Sequence, residues 1–366
     1  MRSNLLIPIL VLAVIAGLAA VMPNLAPAGE IPASSNYKVL APIGHGNLTI
    51  FPVVATTSHD TQSFLTLDEG LRSGDVVVSE SGNSVPLVRP RHGFRPSQYH
   101  PGEGAEVNRL VLVNNSNRPL ILLAGEIVTG GKQDRVIGKD RLVPAESDPV
   151  DLSVFCVEPG RWTATKANFG AYDTTMAQPA VRARAMADKN QEMVWSEVRK
   201  EQGAVAGQLS APMAAAVGGM SSYARVMQND EVQKKVDAVA EPMQHDYQSV
   251  IKQLRDRNAV GVVVAVNGEI IWADVFANTS LLEKYWPKLV RSYAAEAIVN
   301  PAKSHEADLK SAQRFIDNLE SRREVVESEP GLYRHTEMTG DGFKAFELTS
   351  LLPKTGFDLH LAKMAE

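Results

Sequence analysis

The sequence predicts an α+β protein with a β-rich N-terminal half, a helical middle and a C-terminal unit of hairpin, helix and strands. Short apolar runs between turn residues fill the first half, and helical spacing takes over after about residue 172. Asn267-Gly268 then lies between two apolar runs, which predicts a β-hairpin over residues 260–276. Strands and helices do not alternate regularly, so the pattern disfavours a doubly wound nucleotide-binding fold.

These patterns divide the chain into three segments. Residues 1–28 have the composition of a targeting segment, residues 37–172 form the β-rich part, and residues 173–366 form the helical and α/β part of the same domain. A chain of 366 residues can bury a large core without disulfides. Cys156 is the only cysteine, which excludes an intrachain disulfide, and its alternating apolar surroundings predict a buried, inert thiol.

The N-terminus predicts export. Arg2 precedes an uncharged apolar run, Leu5–Met22, and the small-residue pattern Ala26-Pro27-Ala28 follows it. This order is typical of a secretory signal peptide cut after Ala28. The run also approaches the roughly 18–20 residues of a membrane span, so an uncleaved anchor is the alternative. Both interpretations place the rest of the chain outside the cytoplasm, periplasmic or secreted, with membrane contact only through an uncleaved segment.

Composition and motifs exclude several function classes. The net charge of −5 gives no general attraction for nucleic acid. The sequence has no G-x-S-x-G elbow, no H-E-x-x-H motif, no G-x-G-x-x-G after a strand and no EF-hand loop. We therefore expect no metal, no cofactor and no nucleic-acid partner.

Apolar runs rich in Val, Ile, Leu and Phe predict the strands of the first half. A capping box of Thr66 and Glu69 predicts one short helix among them, closed by Gly74. The predicted strands lie in the segments GNLTIFPVVA, DVVVSES, NRLVLVNNS, RPLILLAGEIV and VDLSVFCVE.

Helical spacing in the second half covers roughly residues 179–257. A glycine- and alanine-rich stretch within it, residues 203–222, predicts a loop or linker. Ser280 and Glu283 make a second capping box, which predicts the start of a helix after the hairpin. A further helix over roughly residues 304–322 and three short strands complete the chain.

Residues 81–104 contain too much proline and glycine for regular structure and predict a long surface loop. Its basic run, residues 89–95, has the chemistry to bind an anionic polymer, but the acidic chain favours a solvated loop. His92 and His100 lie in the same loop at a spacing that matches no helical or turn pairing of metal ligands.

The stretch GGKQDRVIG, residues 130–138, poses the question of whether it binds a phosphate. A Walker loop requires G-x-x-x-x-G-K-[ST] followed by a helix whose N-terminus faces the phosphate. Glu126 occupies the position of the first required glycine, and Gln133 stands where Ser or Thr must be. Glycine and proline then follow where the helix should run. The sequence therefore predicts a turn between strands.

Seven residues around this turn are the candidates for a site. Charged groups beside buried strands are either paired with one another or gathered for a ligand. The first interpretation is an internal salt-bridge network, with Arg161 stacked on Trp162. The second is a polar ligand pocket. The candidate ligand-binding residues are Glu126, Lys132, Gln133, Arg135, Glu158, Arg161 and Trp162.

The segments around these candidates resemble a known family. GEIVTGGKQDRV with the following LVP, and then CVEPGRW, resemble the domain family named for its association with ADP-ribosylglycohydrolases and rhodanese-phosphatases. GVVVAVNGEIIWADVFANTSLLEKYWPKLVRSYA is similar to the C-terminal portion of that family. The resemblance covers roughly residues 37–361 and implies that the seven candidates occupy motif positions. It implies no reaction, because the family name refers to genomic neighbours that process ADP-ribose.

Two classes of function fit the sequence. The first is an exported protein whose polar pocket binds, and in an enzyme would process, a small anionic or nucleotide-like metabolite. Lys132, Arg135 and Arg161 would contact the anion there, and Glu126 or Glu158 would be the general base of any reaction. The second is a non-catalytic envelope or secreted interaction module whose charged motif is a structural ion-pair network.

Overall fold

The structure is a computed structural model that describes residues 37–61, 64–81, 108–162, 168–170, 175–254, 258–302, 307–353 and 356–366. These residues belong to one compact unit, Ser34–Glu366. The predicted α+β class is confirmed. Among the helices of the described ranges, none has the length and apolar character that crossing a membrane requires. The N-terminal run and most of the predicted long loop, with its basic residues and two histidines, lie outside these ranges.

Strands come from both halves of the chain. In chain order they are β1 (Tyr37–Val39), β2 (Ile43–His45), β3 (Leu48–Ala55), β4 (Leu65–Thr66), β5 (Val76–Glu80), β6 (Arg109–Asn114), β7 (Leu120–Leu122), β8 (Ile127–Val128), β9 (Arg135–Ile137), β10 (Arg141–Val143), β11 (Val150–Cys156), β12 (Asn258–Val266), β13 (Glu269–Phe276), β14 (Ser321–Glu329), β15 (Tyr333–Gly340), β16 (Phe343–Ser350) and β17 (Asp358–Ala365).

Helices occupy the middle of the chain and the connections of its second half. They are α1 (Leu67–Ser73), α2 (Pro179–Ala183), α3 (Gln191–Gly207), α4 (Ala211–Gly218), α5 (Tyr223–Met227), α6 (Asp230–Gln253), α7 (Thr279–Val299) and α8 (Leu309–Asp317), with a π-helical turn (Arg184–Asp188) directly after α2.

One large antiparallel sheet joins the two halves. Its strand order is β1-β3-β12-β13-β17-β16-β15-β14, and β2 pairs with β3 at one edge. The pairing of β3 with β12 brings together segments about 200 residues apart in sequence. Successive side chains along each strand point to opposite faces of this sheet. Val262 packs in the core with α6 and α7, and its neighbour Val263 packs on the other side with residues of α8.

Two smaller sheets of the first half carry the candidate site. One has the order β5-β6-β11-β9-β8, and the other has the order β10-β7-β4. The turn between β8 and β9 contains the two glycines of the GGKQDRVIG stretch. All predicted strand segments of the first half contain strands, and the short strands β1, β2, β4, β9 and β10 lie outside them.

The predicted hairpin is confirmed. β12 and β13 pair antiparallel on either side of Asn267 and Gly268, which have φ angles of 54° and 79°. Positive φ at both turn positions is the requirement of a type I′ turn. The capping box at α1 is also confirmed, since Thr66 and Glu69 bond each other's backbone N–H groups and Gly74 ends the helix with φ 72°.

The predicted linker at residues 203–222 is wrong. Its first residues complete α3, and α4 occupies most of the rest. Alanine has the highest helix propensity, and Pro212 lies in the first turn of α4, where a missing N–H costs nothing. The glycines at positions 207 and 218 fall at the ends of the two helices.

Three expectations for the C-terminal part are also wrong. The N-cap of α7 is Asn278, which accepts a hydrogen bond from the Leu281 N–H at 2.8 Å, so Ser280 and Glu283 lie inside the helix. The next helix, α8, is shorter than predicted. Four strands of eight or nine residues follow it rather than three short strands. The first of them, β14, is an exposed, charged edge strand without an apolar alternation to reveal it.

Candidate functional site

The turn between β8 and β9 is closely packed. Gly130 and Gly131 have φ angles of 131° and 46°. A Cβ atom on Gly131 would lie 2.3 Å from the ring of Phe169 and 2.6 Å from a carboxylate oxygen of Glu80. Glycine is therefore required here by its neighbours as well as by backbone conformation.

Carboxylates of the protein itself already bind the amides of this turn. The Lys132 N–H donates to Oε1 of Glu80 at 2.6 Å, and the Gly130 N–H donates to Oδ1 of Asp134 at 3.1 Å. The chain then continues as strand β9 rather than as a helix. The turn thus has neither open amides at these two positions nor a helix dipole for a phosphate, in agreement with the sequence argument against a Walker loop.

Arg161 ties this turn to the segment after β11. Its Nη1 donates to the carbonyl of Gly131 at 3.0 Å, and its Nη2 donates to the carbonyl of Gly130 at 3.3 Å. The same Nη2 lies 2.5 Å from Oε2 of Glu158 and 3.6 Å from Oδ1 of Asp134. The hydrogen bond that the guanidinium donates to Glu158 raises the pKa of Arg161. Arg161 and Glu158 are thereby engaged inside the protein.

The cluster extends to helix α5 through Asp134. Ser222, the N-cap of α5, donates its hydroxyl to Oδ2 of Asp134 at 2.5 Å. The Asp134 N–H donates to Glu158 at 3.0 Å, and the Gln133 side chain donates to the Glu158 carbonyl at 3.1 Å. Burial raises the pKa of Asp134. Two buried acceptors, Oε2 of Glu80 and Oε1 of Gln133, have no hydrogen-bond partner among the described residues.

Arg135 lies in the interior. It is fully buried, and its Nη1 donates to the Asp134 carbonyl at 3.5 Å. Burial lowers the pKa of its guanidinium, while Cys156 and Glu80 act in the opposite direction. Cys156 is buried too, and burial raises the pKa of its thiol, as expected for an unreactive cysteine.

Lys132 and Trp162 form the exposed rim of the cluster. Backbone carbonyls and Glu158 bind the Arg161 guanidinium, and its stacking on Trp162 stays a prediction. Nζ of Lys132 lies 4.8 Å from the centre of the Trp162 ring. Lys132 is half-buried and Trp162 is 44% exposed. In the described part of the chain, no carboxylate forms an ion pair with the Lys132 ammonium.

Glu126 belongs to a different group of charges. Its Oε2 accepts the Leu123 N–H at 2.7 Å, and its Oε1 lies 2.5 Å from Nζ of Lys288 on α7. Lys288 also contacts Asp68 of α1 at 2.6 Å. Burial raises the pKa of Glu126, and Lys288 opposes that shift. Six of the seven predicted site residues therefore surround one turn, and Glu126 is held apart by Lys288.

A second buried polar network was not predicted. Asp274 of β13 is fully buried, and its carboxylate accepts hydrogen bonds from both Nη atoms of Arg182, at 2.9 and 3.0 Å. The indole N–H of Trp272 donates to it at 2.9 Å, and the Tyr293 hydroxyl donates to the same oxygen. Although burial opposes ionisation, Arg182 and His360 hold the pKa of Asp274 well below its usual range.

His360 extends this network to the smaller sheets. Its Nε2 lies 3.0 Å from Asp274 and its Nδ1 lies 2.5 Å from Asp140, which also accepts the Ala124 N–H at 2.7 Å. Burial favours the neutral ring, but the two carboxylates raise the pKa of His360 to about 9. The sequence signal was a polar residue with apolar neighbours on both sides within a strand, Asp274 in WADVF and His360 in LHLA.

Among the residues that the structure describes, no group of three or more His, Cys, Asp or Glu side chains is placed to hold a metal ion. His245, which lies on α6, has an exposed side chain beside Asp246.

The fold and the turn cluster define an α+β domain with two buried ionic networks. The chain belongs to the ARG and Rhodanese-Phosphatase-superfamily-associated Protein domain family, whose model matches residues 36–362. This confirms the resemblance seen in the sequence. Comparisons with curated proteins and with solved structures gave no match.

Proposed function

We propose that this chain is an exported binding protein for a small anionic, nucleotide-like metabolite, held at the rim formed by Lys132 and Trp162. The observation that carries the proposal is the contact of the Lys132 ammonium with an exposed tryptophan and with no described carboxylate. A phosphate or carboxylate would contact the ammonium, and a planar base would stack on the indole. Such stacking contributes about 0.5–1.5 kcal/mol.

The buried acceptors below the rim support a nucleotide-like ligand over a simple anion. Oε2 of Glu80 and Oε1 of Gln133 lack donors among the described residues, which is costly for buried polar atoms. Ribose hydroxyls and exocyclic amines are donors. In this proposal Glu158 and Arg161 are positioning residues, because they hold the Gly130–Gly131 turn from which Lys132 projects.

A non-catalytic interaction module is the second candidate. It is favoured by the contacts of Arg161, which bind the protein's own carbonyls and carboxylates. This candidate predicts no small-molecule ligand for the cluster and a purely structural effect when its charges are removed.

A thermal-shift screen of the chain without residues 1–28 tests the proposal. We expect AMP, ADP or ADP-ribose to raise the melting temperature, because a ligand at a hundredfold excess over its Kd stabilises the folded state by about 2.7 kcal/mol. Ribose 5-phosphate and a dicarboxylate test whether the planar group matters.

Variants assign the effect to the rim. Lys132→Ala and Trp162→Ala should abolish the ligand-induced shift, and Trp162→Phe should retain part of it. Lys310→Ala is the matched control, since Lys310 is an exposed lysine on α8. No shift with any ligand, or a shift that survives Lys132→Ala, would contradict the proposal.

A further inference from the structure

A cavity of about 320 Å³ lies between the C-terminal part of α6 and the first turns of α7, on elements that the Lys132–Trp162 rim does not use. Pockets of roughly 300–1,000 Å³ accommodate small molecules. A cavity at the lower end of this range accommodates a molecule of about the size of a free amino acid.

Two stacked aromatic rings form a rigid wall of this cavity. Trp286 and Tyr247 stack with ring centres 4.2 Å apart, and both are almost fully buried. The Tyr247 hydroxyl donates to the carbonyl of Gly261 at 3.1 Å, which fixes the ring against strand β12. Ile251 and Leu282 add aliphatic surface. Because both rings and Leu282 are buried, they support the cavity from behind, and Ile251 and Pro287 provide the apolar surface that a ligand side chain can reach.

The same wall contains a hydrogen-bond donor without a partner and a main-chain carbonyl without its usual helical donor. The indole N–H of Trp286 is buried without a hydrogen-bond partner among the described residues. Pro287 lies inside α7 and has no N–H, so the carbonyl of Glu283 has no donor from the next helical turn. One donor and one acceptor thus lie within a short segment of the cavity lining.

Charges of opposite sign lie at the mouth of the cavity. Lys252 on α6 and Glu283 on α7 both line it and both have exposed side chains. Neither residue takes part in an ion pair with another described residue. The cavity therefore combines a cation, an anion next to a carbonyl that lacks its usual helical donor, and an apolar wall.

We propose that this cavity binds a free α-amino acid with an apolar side chain. The ligand carboxylate pairs with Lys252, and its ammonium group binds the carboxylate and the main-chain carbonyl of Glu283. The side chain packs on Ile251 and Pro287, which the stacked rings of Trp286 and Tyr247 support from behind. This is a site separate from the proposed nucleotide-like site, and neither proposal depends on the other.

Titration calorimetry with L-leucine and L-phenylalanine tests the ligand class. L-leucinol lacks the carboxylate, and 4-methylpentanoate lacks the ammonium group, while both keep the side chain of leucine. We expect leucine to bind at least tenfold more tightly than either analogue. Equal binding of all three, or no binding of any amino acid, would overturn the proposal.

Variants locate the binding. Lys252→Ala and Glu283→Gln should each weaken leucine binding at least tenfold. Lys234→Ala and Glu241→Gln remove exposed charges elsewhere on α6 and should leave it unchanged.

Pro287→Ala separates binding from folding. It restores the missing helix donor, so it should raise the melting temperature while it weakens leucine binding, because the Glu283 carbonyl becomes occupied. Loss of binding through misfolding would lower the melting temperature instead. If this variant is more stable and binds leucine as tightly as the parent protein, the assignment of the ammonium to that carbonyl is wrong.

Discussion

His360 is the residue whose ionisation the structure constrains most clearly. It lies fully buried between Asp140 and Asp274, and its pKa is raised from 6.5 to about 9. A group whose pKa is raised on folding stabilises the protein fully below its unfolded pKa. That contribution is lost as the pH rises through the folded pKa. The stabilisation from His360 is therefore complete below about pH 6.5 and disappears between about pH 6.5 and 9.

The variant His360→Asn tests this statement. It leaves two buried carboxylates without the imidazolium, so we expect it to cost about 3–5 kcal/mol at pH 6. The difference in unfolding free energy between parent and variant should shrink as the pH rises to 9, as measured by urea unfolding. His245→Asn removes an imidazole at an exposed site, so it is the control and should give a small difference. A constant difference from pH 6 to 9 would mean that His360 is neutral in the folded protein.

Lys132 and Arg161 should differ in their effect on stability. Arg161→Ala leaves the buried carboxylate of Glu158 without its cation, so we expect a loss of about 3 kcal/mol. Lys132→Ala removes only a contact with an exposed ring and should cost less than about 1 kcal/mol. Arg322→Ala breaks an exposed ion pair with Asp341 and should also cost less than about 1 kcal/mol. Equal, large losses for Lys132 and Arg161 would indicate that both are structural.

At the level of single elements, the β12–β13 hairpin offers the sharpest test. Gly268 has a φ of 79°, a conformation that β-branched residues resist. Gly268→Val should therefore cost more than about 1 kcal/mol in chemical denaturation. Gly203→Ala is the control in which a gain of stability is expected. Gly203 lies exposed inside α3 with open space around its Cα, so alanine there should raise the free energy of unfolding by about 0.5–1 kcal/mol. A silent Gly268→Val would show that the turn does not need its positive φ.

The elements that the sequence predicted are those whose signals are local. The hairpin dipeptide and the α1 capping box each involve residues within four positions of one another, and both are confirmed. A local signal is not always sufficient, because Ser280 and Glu283 have the same capping-box spacing but lie inside α7. The other misplaced elements lack a local signal: α4 was not predicted because glycines lie at its C-terminal end, and β14 is stabilised by its partner β15 rather than by an apolar face of its own.

On the scale of the whole molecule, the large sheet decides which residues meet. The candidate residues at the Gly130–Gly131 turn could be predicted as a group because they lie within a few dozen positions of one another. Asp140, Asp274 and His360 could not, since the pairing of β13 with β17 brings two of them together and packing of the smaller sheets supplies the third. A network of residues so far apart in sequence can be predicted only once the strand topology is known.

The predicted export concerns the chain as a whole. Arg2, the run Leu5–Met22 and Ala26-Pro27-Ala28 predict a mature N-terminus at Gly29. N-terminal sequencing of the protein from envelope or secreted fractions checks this. An intact chain in the membrane fraction would support the anchor alternative, and an intact chain in the cytoplasm would contradict both.

The indole N–H signals of the four tryptophans provide the most direct test of the proposed nucleotide-like site. The measurement is a ¹⁵N-resolved NMR titration with ADP-ribose, in which Trp162→Phe assigns the signal of Trp162. We predict that this signal shifts in a saturable way, that the signal of Trp286 does not shift, and that Lys132→Ala abolishes the effect. A Trp162 signal that stays unchanged while ADP-ribose binds, or that shifts equally in Lys132→Ala, would contradict the proposed site.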